Sequence, residues 1–527
     1  MDTTDTTDRT QGTPDTGYIV VGAGSAGSVV ARRLLDAGEK VTVIEAGGYD
    51  TNPLIADLWS SVRLWHGPED WDFHTVEQES CAGRRIHLPR GKVMGGSHAL
   101  NGTIWCRGAR QDYDTWSYLG CPGWGWDDVL PVFRAIENFD GGASDTRGGD
   151  GLLDVVEGYE VNPVQESILQ AAVEIGLPVN PDYNDGEVDG VSRMQLNVRG
   201  GKRFNTWHAY LRPVADHPDL QIITGAEVER LLVEDGAVTG VQYVRDNRRE
   251  TLRAGETVLA AGAVGSPVIL LRSGIGPAEE LAAVGVEPVL DLPGVGRNLQ
   301  DHFLVPVVFT TETPVPAPTT GVAETHHFWR SRPDLTVPDT QPIHFSIPMY
   351  LDGMTGPDNG FSLVAGLIRP QARGTVTLSG PGLADEPRID LSALDNASDT
   401  DALVASVRQC REMGRTRALA GWGARELYPG PDVADDDASL EDYVRHHVST
   451  YHHQVGTCRM GLDAGAVVDP RTLTVRGLTG VRVADASVMP LVTTGNTNAA
   501  AILVGERAAS FIVGGTGRRD NTIGELV

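Results

Sequence analysis

The stretch that decides the fold is residues 15–48, which read DTGYIVVGAGSAGSVVARRLLDAGEKVTVIEAGG. Its first apolar run, YIVV, is typical of a buried parallel strand, and the turn residues Gly22, Gly24 and Gly27 follow at once. A segment with apolar residues at helical spacing comes next, and a second apolar run ends on Glu45. Strand, glycine turn, helix, strand and acid in this order predict a dinucleotide-binding βαβ unit.

Each glycine of the turn has a physical role in such a unit. Gly22 permits the tight turn, Gly24 lets the backbone approach a pyrophosphate, and Gly27 lets helix and strand pack closely. The free N–H groups and the positive dipole end of the helix then hold the phosphates. Glu45 is placed to accept hydrogen bonds from a ribose, so a 2′-phosphate, and with it NADP, is disfavoured. The unit alone does not separate NAD from FAD.

Composition excludes several classes of function. At 527 residues the chain is too long for one simple core, so two domains are expected, and 40% hydrophobic with 22% charged residues is typical of a soluble globular protein. A net charge of −28 argues against binding to nucleic acid or to an anionic membrane. No apolar run is long enough for a membrane span.

The N-terminus and the cysteines indicate a location. Residues 1–17 are polar and acidic, with neither a basic start nor an apolar core, so we expect a disordered tail and not a secretory signal. The five cysteines are few, odd in number and unpatterned. Reduced thiols in a cytoplasmic protein are the simplest account.

The pattern changes between Phe303 and about Tyr443, where prolines are frequent and strand-like alternation begins. Ile343, Phe345, Ile347 and Met349 fall at period two, although Pro348 predicts an edge strand at best. We therefore expect a second domain built on an antiparallel sheet. After it, strand, loop and helix return in the style of the first domain.

Several separate stretches carry a resemblance to a known family, in the right order along the chain. They are the βαβ unit, the loop Gly91–Gly102, the small-residue segment Gly262–Gly276 that ends in SGIG, Gly294–His302 (GVGRNLQDH), Ala484–Pro490 (ADASVMP) and Gly495–Asn498 (GNTN). On these residues the chain resembles the glucose–methanol–choline (GMC) family of FAD-dependent oxidoreductases over nearly its whole length. The resemblance implies an α/β fold, in which a Rossmann-like FAD-binding domain is interleaved with an α+β substrate domain.

The resemblance also implies how the cofactor, FAD, is held. Gly22, Gly24, Gly27 and Glu45 would bind the ADP half, and the backbone of Val228 would contact adenine. The remaining expected contacts are with the flavin ring, the ribityl chain and the pyrimidine, and they involve Gly96, Asn101, Asp485 and Asn496.

Some family members attach FAD covalently through a histidine one residue before the asparagine of the first loop. That position is Leu100 here, and His98 lies two residues too early. We therefore predict non-covalent FAD.

The resemblance places the chemistry near the C-terminus. Oxidation of an alcohol requires a base for the hydroxyl proton, and a histidine is mostly neutral at pH 7. The spacing to Gly456 assigns the base to His453 and puts Gln454 where proline is usual. Asn498 matches the partner that hydrogen-bonds the same alcohol oxygen. His452 is expected to be a hydrogen-bonded neighbour.

The four histidines His446, His447, His452 and His453 show no recognised zinc spacing, so no metal is predicted. Gln454 and His452 add polar groups near the expected pocket, which favours a sugar, glycoside or polyol as substrate. Oxidation of an aliphatic or aryl alcohol, choline included, and an FAD-containing hydroxynitrile lyase stay open as alternatives. The electron acceptor is oxygen or another carrier, and the oligomeric state is not indicated.

The expected domain division follows from these assignments. Residues 18–155, 200–302 and 454–515 form the FAD-binding domain, and residues 156–199 and 303–453 form the substrate-binding domain. Residues 516–527 are expected to form a C-terminal tail.

Overall fold

The computed structural model describes residues 15–58, 61–318, 320–351 and 353–515. The strands of the two large sheets are, in chain order, β1 (Thr16–Val21), β2 (Val41–Glu45), β3 (Gly190–Arg193), β4 (Leu220–Thr224), β5 (Ala226–Glu234), β6 (Ala237–Arg245), β7 (Arg248–Leu259), β8 (Phe303–Thr310), β9 (Ala323–Phe328), β10 (Ile343–Phe345), β11 (Gly360–Leu367), β12 (Arg425–Tyr428), β13 (Ser449–Thr450) and β14 (Val481–Val483). The α-helices of the described residues are α1 (Ser25–Asp36), α2 (Pro53–Ala56), α3 (Arg110–Tyr118), α4 (Trp126–Ile136), α5 (Pro163–Glu174), α6 (Gly262–Arg272), α7 (Ala278–Ala283), α8 (Ala397–Gly414), α9 (Arg417–Ala420), α10 (Asp437–His447) and α11 (Asn498–Gly515).

The first sheet is built around the predicted βαβ unit. Strands β4, β2, β1, β7 and β14 are neighbours in that order and run parallel. The N-terminal half of β7 pairs antiparallel with β6, which in turn pairs with β5. Val20 of β1 pairs with Val43 on one side and Val258 on the other, and all three are fully buried. Because these strands are covered on both faces, they read as continuous apolar runs.

The C-terminal helix α11 packs against α1, the helix of the βαβ unit. Gly505 lets the two helices approach closely, because a Cβ added there would lie 2.8 Å from the carbonyl oxygen of Ala26. The chain thus returns to the first sheet after building the second. This return brings the residues around the start of α11 next to the glycine turn.

The second sheet is antiparallel throughout, as the sequence predicts. Its strand order is β12, β8, β11, β10, β9, β3, with β13 beside β8. The expectation of an edge strand at Ile343–Met349 is wrong, because β10 lies inside the sheet between β9 and β11. This strand ends at Phe345, before Pro348, so the proline removes no donor from the interior ladder.

The two sheets take their strands from the segments assigned to each domain, and the exact domain limits stay a prediction. The N-terminal tail was set two residues too long, because Thr16 already pairs with Ala254 in the parallel ladder. Residues 1–14 and the expected C-terminal tail, 516–527, lie outside the described residues.

The five cysteines are buried and unpaired. No helix in the described part of the chain has the length and apolar character needed to cross a membrane.

Candidate active site

A cavity of about 940 Å³ runs between the two sheets. Most of the positions singled out in the sequence line it, namely Gly22, Gly24, Glu45, Gly96, Asn101, Val228, His452, His453, Gln454, Asp485, Asn496 and Asn498. Gly27 does not line the cavity. It lies in α1, where an added Cβ would stand 1.9 Å from the carbonyl oxygen of Gly22, so it serves packing, as expected.

The glycine turn leaves the backbone of α1 open to the cavity. Gly22 has φ +97°, and a Cβ there would lie 2.5 Å from the carbonyl oxygen of Ala260. Gly24 precedes α1 and provides no side chain to cap it, so the first N–H groups of the helix are free for a ligand. A helix start with free N–H groups at the wall of a cavity is suited to hold phosphate.

Glu45 both lines the cavity and braces this turn. Its carboxylate accepts hydrogen bonds from the backbone N–H of Ala23 at 2.8 Å and of Gly47 at 2.9 Å. The side chain is buried, and this burial raises the pKa of Glu45 against the lowering effect of the two N–H donors. The acid is therefore held in one position beside the turn.

The loop Gly91–Gly102 lies directly against the glycine turn. Gly96 has φ +53°, and a Cβ there would come within 2.7 Å of Cα of Gly24, so only glycine fits this contact. Asn101 is fixed because its Oδ1 accepts from the backbone N–H of Thr103 and from Arg203, both at 2.9 Å. The loop therefore forms a rigid wall next to the turn.

Asp485 fixes the start of α6 at the same cavity. Its carboxylate accepts from the backbone N–H of Gly262 at 2.9 Å, from Ser266 Oγ at 2.5 Å and from the backbone N–H of Ser487 at 2.8 Å. Burial raises its pKa. The carboxylate therefore connects the segment Gly262–Gly276 to the C-terminal part of the chain.

At the start of α11, one polar atom is left without a protein partner. Asn498 Oδ1 accepts a hydrogen bond from Ser25 Oγ at 2.6 Å, while its buried Nδ2 has no partner. A buried amide donor without a partner is costly unless a ligand satisfies it. This orphaned donor, the open start of α1 and the elongated cavity together fit a dinucleotide cofactor such as FAD.

Leu100 and His98 lie in the loop where the resemblance places a possible covalent attachment of FAD. Leu100 lines the cavity and carries no atom for a covalent bond to the cofactor. His98 is fully buried and does not line it. Burial lowers the pKa of His98 to about 3.

His453 lies at the centre of the polar cluster in the cavity. Its Nδ1 is 2.9 Å from Nδ1 of His302, and its Nε2 is 3.2 Å from Nδ2 of Asn496. The imidazole also stacks on the ring of Tyr451, with centroids 4.6 Å apart. Because an amide nitrogen only donates, His453 Nε2 accepts, and its ring proton is on Nδ1 facing His302. The network therefore holds an unprotonated Nε2 towards Asn496.

The backbone around His453 is organised by the buried carboxylate of Asp301. This carboxylate accepts from the backbone N–H of His453 at 2.8 Å, and it also accepts from Thr450 Oγ1 and from Gln454 Nε2. Burial raises the pKa of Asp301 to about 6. The amide nitrogen of Gln454 is thus engaged by the protein.

His452 occupies a strained position beside the base. Its φ is +67°, and its carbonyl oxygen accepts from the guanidinium of Arg90 at 2.6 Å. Its ring stands edge-on to Trp65, with centroids 5.1 Å apart. Burial lowers the pKa of His452 to about 3, so the imidazole is neutral.

Electrostatics keep the predicted base neutral. The pKa of His453 is well below its ordinary value, chiefly because of burial and also because of His302, His452 and Arg90. The pKa of His302 falls to about 3 for the same main reason. A neutral imidazole whose unprotonated Nε2 is held by a displaceable amide donor at the cavity wall is suited to accept a proton.

The structure separates the two asparagines of the GNTN segment. Asn496 contacts His453, and its Oδ1 accepts from Gln341 Nε2 at 3.2 Å. Asn498 instead contacts Ser25 at the glycine turn. The sequence analysis expected Asn498 beside the alcohol oxygen and Asn496 with the cofactor.

Asp301 and His302 lie in a segment that the sequence analysis used only for the resemblance. Their signal was the adjacent acid and histidine at the end of GVGRNLQDH. Gln341, by contrast, carried no signal, because it lies in a proline-rich region without a motif.

Comparisons with known proteins agree with this architecture. Family models described as GMC oxidoreductase match residues 16–304 and 370–505. The chain is 36% identical to an alcohol dehydrogenase [acceptor] of Pseudomonas putida, covering 94% of this chain and 95% of that protein. It is 35% identical to an oxygen-dependent choline dehydrogenase of Rhizobium johnstonii, with coverage of 94% and 95%. The crystal structure of pyridoxine 4-oxidase from Mesorbium loti superposes with a TM-score of 0.92 at 34% identity, covering 96% of this chain and all of that one.

Proposed function

The chain belongs to the GMC oxidoreductase family, whose members are FAD flavoproteins acting on CH–OH donors, and from this premise we propose a specific reaction. The substrate is an uncharged alcohol with an apolar or aromatic body, and His453 is the base. The observation that carries the proposal is the neutral, buried His453 whose Nε2 lies 3.2 Å from Asn496 at the wall of the cavity.

The chemistry divides between the cofactor and the protein. When bound, FAD supplies the acceptor for the hydride of the alcohol carbon. His453 takes the hydroxyl proton on Nε2, because burial keeps this imidazole unprotonated. Nδ1 of His453 already carries a proton directed at His302, so the ring can accept the second proton only on the cavity side.

We propose that Asn496, and not Asn498, shares the alcohol oxygen with the base. Its Nδ2 donates to His453 Nε2 across 3.2 Å, so an alcohol oxygen that displaces this contact and lies within reach of both groups would accept from Asn496 and donate to His453. Asn498 is then left for the cofactor, to which its unpartnered Nδ2 can donate. Gln341 holds the amide of Asn496 in this orientation.

The wall formed by the second sheet supports an apolar substrate. Strands β8 to β11 contribute apolar side chains to the cavity, namely Leu304, Pro306, Ala323, Ile343, Phe345 and Val364. The following segment adds Ile347 and Met349, so this wall of the cavity is apolar, while the carboxylates of Asp72 and Glu386 lie elsewhere in its lining. Gln454, the polar group that favoured a sugar, donates its amide nitrogen to Asp301, which leaves its buried Oε1 as the remaining polar atom of this side chain. An aliphatic or aryl alcohol therefore has more support than a sugar or polyol.

Non-covalent attachment of FAD is part of the proposal. Leu100 lines the cavity where some family members carry the attaching histidine, and His98 is turned away from it. Acid precipitation should release the flavin into the supernatant. Flavin that stays with the precipitated protein would show a covalent bond.

The experiment is an anaerobic flavin-reduction screen over aryl alcohols, aliphatic alcohols, choline, polyols and sugars. We expect aryl or aliphatic alcohols to bleach the flavin, and bleaching by sugars, polyols or choline alone would refute the proposed substrate. A His453→Ala variant should lose reduction, whereas His446→Ala, an exposed histidine of α10, should keep it. Undiminished reduction in the His453 variant would refute the base.

The electron acceptor follows from the same experiment. Admitting air to the bleached enzyme distinguishes oxygen, which restores the flavin colour within the turnover time, from another carrier, which must be added. A cytoplasmic location stays a prediction, which the buried and unpaired cysteines support.

A further inference from the structure

Three side chains of metal-ligand type converge at the rim of the cavity. His66 Nδ1 lies 2.6 Å from Asp72 Oδ1, and His87 Nε2 lies 3.2 Å from the same oxygen. The two imidazole rings stack, with centroids 4.0 Å apart. Within the described ranges, these three offer one ligand atom each, all within 4.8 Å of one another. We call them the rim cluster.

Local structure holds the rim cluster together. The two-residue strands Phe73–His74 and His87–Leu88 pair antiparallel, which fixes His87 next to the loop that carries the other two residues. His66 and Asp72 both have positive φ, +58° and +54°, a region that non-glycine residues enter rarely. The backbone is thus constrained at the two exposed members of the cluster.

The buried carboxylate of Asp70 holds the backbone of this loop in place. It accepts from the backbone N–H of His66 and of Asp72, both at 3.1 Å, and from the backbone N–H of Arg90 at 2.8 Å. It also lies 3.1 Å from Nε2 of His87. One carboxylate therefore fixes the backbone of His66 and Asp72, and it also contacts the His87 nitrogen that faces Asp72.

We propose that the rim cluster binds a divalent transition-metal ion such as Zn²⁺ through two imidazole nitrogens and one carboxylate oxygen. This donor set suits Zn²⁺ and its neighbours, with water completing the coordination. Asp72 and Asp70 together place two carboxylates at the cluster, which balance the charge of the ion. The alternative is that these are ordinary His–Asp contacts at the surface. Such contacts do not require three ligand atoms within 4.8 Å of one another.

The distances are close to those that an ion requires. Donor atoms around a tetrahedral Zn²⁺ with bonds of about 2.0–2.2 Å stand about 3.3 Å apart. The contact between His87 and Asp72, 3.2 Å, already has this length. The contact between His66 and Asp72, 2.6 Å, must widen, which a rotation of two exposed side chains allows.

The sequence analysis missed this cluster because it considered other histidines. His66, Asp72 and His87 follow no zinc spacing, and only the hairpin brings them together. The rim cluster also adjoins the active site through Trp65, whose ring stands edge-on to His87 at 5.8 Å and to His452 at 5.1 Å. The ion is therefore placed at the cavity rim and not at the reacting atoms.

The test measures Zn²⁺ binding to the tag-free, FAD-loaded full chain by calorimetry after treatment with a chelator. We expect one equivalent to bind saturably, and His66→Ala and Asp72→Asn each to weaken binding at least 10-fold. Asp70→Asn should also weaken it, about 10-fold or more, because the backbone of His66 and Asp72 is then no longer held by a carboxylate. Flavin absorbance confirms that each variant is folded.

A matched control is available on α10. His446 and Asp442 form an exposed His–Asp contact of 3.4 Å without a third ligand, so His446→Ala should leave the affinity unchanged. Absence of saturable binding overturns the proposal, as does binding that neither the His66 nor the Asp72 variant alters. Anomalous diffraction at the zinc edge should place the ion between these two side chains, and a peak elsewhere refutes the site.

Discussion

His302 should control the rate of alcohol oxidation without contacting the substrate. Its Nδ1 accepts the proton of His453 Nδ1 across 2.9 Å, and both rings are buried. Replacing His302 by leucine removes this acceptor while filling most of the volume. The proton of His453 is then free to move to Nε2, which destroys the lone pair required of the base.

The magnitude follows from the energy of the lost interaction. Leaving a buried donor without its partner costs about 1–3 kcal/mol. If this energy is what favours the reactive tautomer, the reduction rate should fall about 5- to 150-fold, since each 1.4 kcal/mol is a factor of ten. A His302→Asn variant, whose amide oxygen can still accept, should recover part of the loss.

The assay is anaerobic stopped-flow reduction of the flavin at saturating substrate, using the alcohol that bleaches fastest in the screen. Flavin absorbance and the thermal midpoint report whether each variant is folded and loaded. A leucine variant that reduces within twofold of the original protein would refute the tautomer argument. Equal losses in the leucine and asparagine variants would assign His302 to packing alone.

Three further predictions concern the base, its amide partner and the fold. Asn496→Ala should lower the rate of flavin reduction, measured by stopped flow, while FAD stays bound. Asn498→Ala should instead lower the flavin content of the purified protein. The opposite pattern would support the roles assigned from the sequence. Because burial lowers the pKa of His453 and only its neutral form accepts a proton, kcat/KM should rise with pH through a limb centred below 6.5, and a limb above that value contradicts the assignment. Glu137 is fully buried between two arginines, at 2.6 Å and 2.8 Å, so Glu137→Gln should cost about 3–5 kcal/mol and lower the thermal midpoint. Glu441→Gln, in the exposed ion pair with Arg445, should cost under about 1 kcal/mol. An equal loss of stability in the two variants would contradict the role of burial at Glu137.

Much of the fold was predictable because its determinants are local. The strand, glycine turn, helix and acid of residues 15–48 are contiguous, and each constraint acts within about thirty residues. The structure shows the turn at Gly22, the close packing at Gly27 and the buried parallel strands. The antiparallel second sheet was also indicated by alternation, although Pro348 led to a wrong position for one strand.

The active site was only partly predictable, since its contacts join residues far apart in the chain. His453 could be found from its spacing to Gly456, but its partner His302 lies 151 residues earlier. The choice between Asn496 and Asn498 depends on how the turn before α11 orients two side chains, and no local pattern records this. Gln454 was expected near the substrate, and it lines the cavity, but no local pattern records that its amide nitrogen donates to the buried Asp301.

The sequence by itself indicated the fold class, because strand and helix periodicity and glycine conformation are properties of contiguous residues. The family and the cofactor followed from the resemblance that several short motifs carry in their order along the chain. Only the tertiary structure decided which asparagine faces the base, which tautomer His453 holds, and that the rim cluster exists. The first two depend on distances of about 3 Å between segments that the two sheets and the helix α11 bring together, and the rim cluster depends on a short hairpin. Hydrogen bonding and ligation are sensitive to tenths of an ångström, and such distances are set by packing of the whole core.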